Sequence, residues 1–161
     1  MIIISSSFLF SNNNEKAPTF YLRTLDNNDF FLSEELERGN PIILSFFATW
    51  CAPCKKEMPI IDSLALEYDD IDFYFVNVNG IANQPPETSI KIKELIKSLK
   101  INVTVLLDLN TKIFEKYNGK VLPRTIVINS SGNIVYQRDG YKKGDEIELI
   151  QILDGFTNDD E

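Results

Sequence analysis

The sequence predicts an α/β fold, a mixed central sheet flanked by helices, and three patterns carry that prediction. Ile42–Phe47 is a continuous apolar run without the alternation of a one-sided strand, which suits a strand buried on both faces, and residues 71–78 read as a second buried strand. The stretch between them has helical periodicity, which makes a strand–helix–strand unit. Residues 125–129 and 134–138 then flank Ser130-Ser131-Gly132-Asn133, a turn signal that marks a hairpin, and a helical face follows.

Taken in order, residues 19–22 and 30–32 are extended runs around the turn-forming Asp26-Asn27-Asn28-Asp29, an N-terminal β-hairpin. Ser33 opens a short polar turn or helix that Gly39-Asn40-Pro41 ends. After the first buried strand comes a helix reaching about Tyr68, with Met58, Ile61, Leu64, Ala65 and Tyr68 on one face. Pro59 falls inside that helix, where a missing N–H should kink it. Residues 79–88, with Pro85-Pro86, form a loop. Ile92, Leu95, Ile96 and Leu99 then mark an amphipathic helix, residues 103–107 a strand, and Ile113, Phe114 and Tyr117 a short helix. Leu149, Ile152, Leu153 and Phe156 line the last helix. One domain over residues 15–157 accounts for all of this, between a segment 1–14 and an acidic tail 158–161.

Composition narrows the chemistry. A formal charge of -8 argues against electrostatic nucleic-acid binding, and on its own it disfavours acidic partners. The chain has two cysteines and no histidine, which removes Ser-His and Cys-His hydrolases, His-ligated zinc and haem held through histidine. Two cysteines alone do not complete a four-ligand zinc site. No metal and no cofactor is expected, and thiol redox chemistry or an inert bridge remains. Beyond the apolar start Met1-Ile2-Ile3-Ile4, nothing approaches the roughly 20 apolar residues of a spanning helix, so no membrane insertion of the folded domain is expected. Residues 1–14 fit an export-signal remnant, although they lack a positive start, and they also fit a frayed or strand-like tail.

Cys51 and Cys54 sit where a buried strand gives way to a helix. The free N–H groups and dipole of a helix start favour a thiolate at Cys51, and Cys54, one turn on, returns within bonding reach. A disulfide across two residues closes too small a loop to stabilise much through chain entropy, so it suits opening and closing better than bracing. An inert bridge is the rival reading of the pair.

Trp50-Cys51-Ala52-Pro53-Cys54-Lys55 resembles the active-site motif of the thioredoxin superfamily. Ala17-Pro18-Thr19-Phe20, Phe46-Phe47-Ala48-Thr49, Glu57-Met58-Pro59, Val76-Asn77-Val78 and Leu122-Pro123 follow the order of its TlpA/ResA-like branch, over residues 17 to 140. The resemblance implies a thioredoxin fold with an added N-terminal hairpin and an inserted segment at about 79–109. It implies a thiol–disulfide oxidoreductase with Cys51 and Cys54 as the redox-active pair. Trp50, Ala52, Pro53, Leu122 and Pro123 would shape the substrate site, with Leu122–Pro123 as a cis bond. The implied partners are disulfide-containing protein substrates and an upstream electron donor, and the implied location is extracytoplasmic, in the periplasm or cell envelope, with the cytoplasm as the alternative.

The sequence also departs from the family. Ser45 stands where many thioredoxins carry a buried aspartate, and Gly80 about where relatives carry a glutamate, which leaves no obvious base for Cys54. Glu57 is nearest in sequence but is expected at the surface, and Arg124, after Pro123, is expected to be solvated. Three rival functions remain: a peroxiredoxin-like peroxidase, against which Ala48 stands where a hydroxyl residue is needed; a non-catalytic interaction module on the same fold; and a copper-delivery module, against which the absence of histidine stands. With no cation between the cysteines, the reduced form is not over-stabilised, which favours a reductant over a strong oxidant.

Overall fold

The computed structural model describes residues 15–158; the segment 1–14 and the Asp159-Asp160-Glu161 tail lie outside the described residues. The elements are β1 (Tyr21–Thr24), β2 (Asp29–Phe31), α1 (Leu32–Glu37), β3 (Ile42–Phe47), α2 (Ala52–Glu67), β4 (Asp72–Val78), α3 (Ser89–Leu99), β5 (Thr104–Asp108), α4 (Lys112–Lys116), β6 (Arg124–Ile128), β7 (Ile134–Asp139) and α5 (Asp145–Asn158). The strands make one sheet in the order β2-β1-β5-β4-β3-β6-β7. β3, β4 and β5 run parallel, and β1 and β6 join them antiparallel, so the sheet is mixed.

β3 lies at the heart of the sheet and is buried along its whole length. Its period-2 alternation divides the core. Ile42, Leu44 and Phe46 face a layer formed by Phe20, Leu32 of α1, and Ile113, Phe114 and Tyr117 around α4. Ile43 and Phe47 face the other way, onto α2, α3 and α5 through Met58, Ile61, Ile92, Leu149 and Leu153. Ser45 therefore points at α2 from the middle of an apolar strand. The parallel run β3–β4–β5 brings the C-terminal ends of three strands to one edge of the molecule, where ligand sites of open α/β sheets form.

Strand limits differ from the sequence expectation by one or two residues. β1 and β2 close over the turn at Thr24–Asn28, where Asn28 N donates to the Thr24 hydroxyl oxygen (3.0 Å) and Asn27 adopts a left-handed φ of 67°. The expected insertion is the loop 79–88, α3 and β5, and β5 is a full member of the sheet, between β1 and β4. Pro59 lies inside α2 without ending it.

Candidate active site

The turn 48–51 leaves β3 and delivers Cys51 to the N-cap of α2. Cys51 N donates to Ala48 O (3.1 Å), which closes the turn. The Cys51 sulfur accepts from Cys54 N (3.2 Å), the place a capping hydroxyl takes at an ordinary helix start. Pro53 occupies the first turn, where a missing N–H costs nothing. A disulfide of 2.09 Å joins Cys51 and Cys54, whose Cα atoms are 5.3 Å apart. Cys51 is 4% exposed and Cys54 0%, so of the two cysteines only Cys51 reaches the surface.

Of the remaining predicted residues, Trp50 and Leu122 pack against the cluster that holds both cysteines. Trp50 is half-buried against the α2 layer, while Ala52 and Pro53 are exposed. The Leu122–Pro123 peptide is cis; Leu122 is half-buried, Pro123 is buried, and Pro123 O accepts from Gly140 N (2.7 Å).

Beneath the disulfide, the sheet register builds a polar row. Ser45 pairs with Thr125, and Thr125 pairs with Arg138, so these three side chains stand abreast on the α2 side. Glu57, one turn beyond Cys54, comes down onto the row. It accepts from Thr125 Oγ1 (3.1 Å) and Ser45 Oγ (3.4 Å) and forms an ion pair with the Arg138 guanidinium. The expectation that Glu57 is a surface residue is wrong, since it is 2% exposed. The physical reason is helical spacing, because Glu57 shares the inward face of Cys54, Met58 and Ile61 at offsets of three, four and seven. Burial pushes the Glu57 carboxyl above the ordinary carboxylate range; the Arg138 charge is the largest opposing influence, followed by the Thr125 and Ser45 hydroxyls.

Arg138 also builds the adjoining loop. Its guanidinium donates to Gly140 O (3.2 Å) and Asp145 O (3.1 Å) and lies 5.8 Å from the centre of the Tyr141 ring. The β7–α5 loop, 140–144, is thereby tied to the same carboxylate that underlies Cys54.

Arg124 is likewise not solvated, at 5% exposure. One residue along β6 from Thr125, it points to the opposite face, where it pairs with Asp139 across the strands (2.7 Å) and donates to Tyr117 O (2.8 Å) and Gln137 Oε1 (2.7 Å). It holds the segment leading to Pro123 and does not face the sulfurs.

A second carboxylate, not expected from the sequence, lies under the turn before Cys51. Glu87, from the loop 79–88, accepts from Thr49 N and Thr49 Oγ1 (3.0 Å each) and from Asn77 Nδ2 (3.4 Å). Its own backbone is clasped by the Asn79 side chain at 2.8 and 3.2 Å. Gly80 therefore does not leave the site without a carboxylate; one arrives seven residues later along the same loop. Only the isolated acid in an otherwise uncharged Pro-containing loop hinted at it.

Comparison with known proteins fits this geometry. The Redoxin family model matches residues 12–153. The chain belongs to the Redoxin family. Thiol-disulfide oxidoreductase ResA of Bacillus cereus is 30% identical to this redoxin over 134 residues, 83% of this chain and 73% of that protein. ResA of Bacillus subtilis is 33% identical over 119 residues, 74% and 63% of the two chains. Among solved structures, a thioredoxin-family thiol:disulfide interchange protein of Chlorobium tepidum TLS superposes with a TM-score of 0.70 at 26% identity, covering 87% of this chain and 96% of that one. The redoxin is accordingly a thiol–disulfide oxidoreductase of the TlpA/ResA-like branch of the thioredoxin superfamily, with a thioredoxin fold. Among the described residues no helix is long and apolar enough to cross a membrane.

Proposed function

We propose that this redoxin reduces disulfides of partner proteins through Cys51 and Cys54, within one domain spanning residues 15–157. The carrying observation is the asymmetry of the pair: Cys51 at the helix N-cap with an opening to solvent, Cys54 fully enclosed. In the dithiol form Cys51 attacks as thiolate. Its sulfur bonds to one substrate sulfur, the substrate S–S bond breaks, and the departing sulfur takes a proton from water. Cys54 then gives its proton to Glu57 and bonds to the Cys51 sulfur; the bond between Cys51 and the substrate breaks, the second substrate sulfur leaves as a thiolate that takes a proton from water, and Glu57 returns its proton to the solvent. The substrate gains two electrons and two protons, and the redoxin is left with the Cys51–Cys54 disulfide. A dithiol electron donor restores it.

Trp50, Ala52, Pro53, Leu122 and Pro123 form the surface on which the substrate chain lies, with the Leu122 backbone placed to pair with an extended segment. Glu57 is the base for Cys54, its carboxyl held above the ordinary carboxylate range by burial and so a better proton acceptor than a solvated carboxylate. Glu87 positions the turn before Cys51 through its bonds from Thr49 N and Thr49 Oγ1.

The direct test is trapping. Cys54→Ser leaves attack intact and blocks release, so mixed disulfides with native partners accumulate as reducible higher-mass species. Cys51→Ser abolishes both trapping and turnover. An empty trap, or reduction by both single variants, would end the catalytic assignment. A reduction potential near thioredoxin's roughly -270 mV supports the reducing direction, whereas one near about -120 mV reverses it. The reading extends to a periplasmic or cell-envelope location, which fractionation of the native cell checks; recovery in the cytoplasm overturns that part alone.

A further inference from the structure

The charges of this acidic protein are unevenly distributed. The loops at the reactive end are 48–51, 79–88, 109–111, 117–123 and 140–144. Their charged side chains are Lys120, Lys142, Lys143 and Glu87, and the first turn of α2 adds Lys55 and Lys56. Each of these lysines is exposed, while Glu87 is buried and occupied by Thr49 and Asn77. None of these lysines lies within ion-pair distance of a carboxylate among the described residues.

The carboxylates bordering this face are engaged in building it. Asp139 pairs with Arg124, and Glu57 with Arg138. Asp145 lies 3.9 Å from the Arg138 guanidinium and accepts from Lys142 N. Glu146 accepts from Gly144 N and the Tyr141 hydroxyl, and Glu148 accepts from the Tyr136 hydroxyl. Lys120 precedes Val121, which is 51% exposed, and the cis Leu122–Pro123. Lys142 and Lys143 belong to the loop whose Gly140 N bonds Pro123 O and whose base is Arg138. Cys51 packs in one cluster with Trp50 and Leu122, and the loops at this end of the sheet add the exposed Val121 and exposed lysines outside ion-pair reach of any carboxylate among the described residues.

We propose that this lysine rim selects substrates whose disulfide-bearing segment carries acidic residues within a few positions of the reacting cysteine. The inference rests on the oxidoreductase reading and names the substrate class for the same site. Charge complementarity at a rim acts mainly on encounter, because exposed pairs add little to the bound complex and the long-range field of clustered charges raises association rates. The net charge of -8 would by itself repel such a segment; the distribution reverses the sign where the segment arrives.

The test uses the full chain, pre-reduced and followed by the fluorescence of Trp50, the one tryptophan, next to Cys51. Three probes are compared: hydroxyethyl disulfide, and two peptide disulfides identical except for Glu or Lys on both sides of the cysteine. At low salt the Glu peptide should react about tenfold faster than the Lys peptide, and the ratio should shrink toward one near 1 M salt. In Lys120→Glu/Lys142→Glu/Lys143→Glu, checked for folding by circular dichroism, the Glu-to-Lys ratio should invert; Lys→Gln at the same positions should bring it near one. Equal rates for the two peptides, or a ratio that neither variant moves, would overturn the rim while leaving the oxidoreductase reading intact. Failure of the reduced protein to react with hydroxyethyl disulfide would instead remove that reading, and the rim inference with it.

Discussion

Arg138→Met removes the only cation paired with the carboxylate beneath Cys54 among the described residues, and its effect should depend on pH in a defined direction. Glu57 is 2% exposed and the Arg138 side chain 13%, so the pair is enclosed. Removing one partner of a buried pair costs about 3–5 kcal/mol when the other stays charged. Arg138 also donates to Gly140 O and Asp145 O, and each lost bond adds about 0.5–1.5 kcal/mol unrelated to Glu57. A double-mutant cycle with Glu57→Gln separates the two contributions. The coupling between the positions should be about 2–3 kcal/mol at pH 8. Glu57 has a raised carboxyl in the folded state, so its contribution to stability is present in full at acid pH and lost as pH rises through the folded value. Loss of Arg138 raises that carboxyl further. The variant should therefore lose stability with rising pH more steeply than wild type, and the coupling should shrink as pH falls, because the carboxyl becomes increasingly protonated with or without its partner. Urea unfolding of the oxidised protein by circular dichroism, at constant ionic strength from pH 4 to 8, measures all four corners. A coupling under about 0.5 kcal/mol at pH 8, or one that does not change with pH, would refute the ion pair as a stabilising unit.

Glu57→Gln should slow resolution by Cys54 near neutral pH by about 10²–10⁴-fold while attack by Cys51 is kept, read as a long-lived mixed disulfide in quenched-flow mass spectrometry. In the dithiol form Cys51 should be alkylated well before Cys54, because only Cys51 combines an opening to solvent with a helix start; peptide mapping showing equal labelling would contradict this. Glu87→Gln should destabilise the turn before Cys51 by about 1–3 kcal/mol and speed hydrogen exchange at the Thr49 amide, with unchanged exchange there as the contrary result. Gly119→Ala drives a Cβ into the buried Phe114 ring and should cost about 1–3 kcal/mol in thermal unfolding; pairing it with Phe114→Leu should recover part of the loss.

The architecture was legible because its signals are local. β3 announced itself by six apolar or small residues in a row, and the cysteine motif fixed where a helix must begin. What stayed hidden were contacts made by register. Nothing in the linear order says that Ser45, Thr125 and Arg138 stand in one row; that follows only once β3, β6 and β7 are aligned. Glu57 was legible in principle, since its offset from Cys54 is that of an inward face, but its charge weighed against burial until a cationic partner was found. Arg124 was misjudged for the same reason, its carboxylate partner being on the next strand. Glu87 depends on the path of an irregular loop, which no periodicity describes.

The placement of β1 has a consequence for how the chain is made. Residue 23 pairs with residue 107, so among the described residues β1 has no neighbouring strand other than β2 until β5 has been synthesised. Two short strands alone are marginal in water, and Leu22 and Phe30 stay exposed for that interval. The nascent chain thus carries an unprotected apolar ribbon while β3 and β4 assemble behind it, and such exposure is what holdase chaperones recognise. Destabilising the early hairpin should therefore lower the yield of soluble protein during synthesis more than it lowers the stability of the finished molecule, and co-expression of a chaperone should restore that yield.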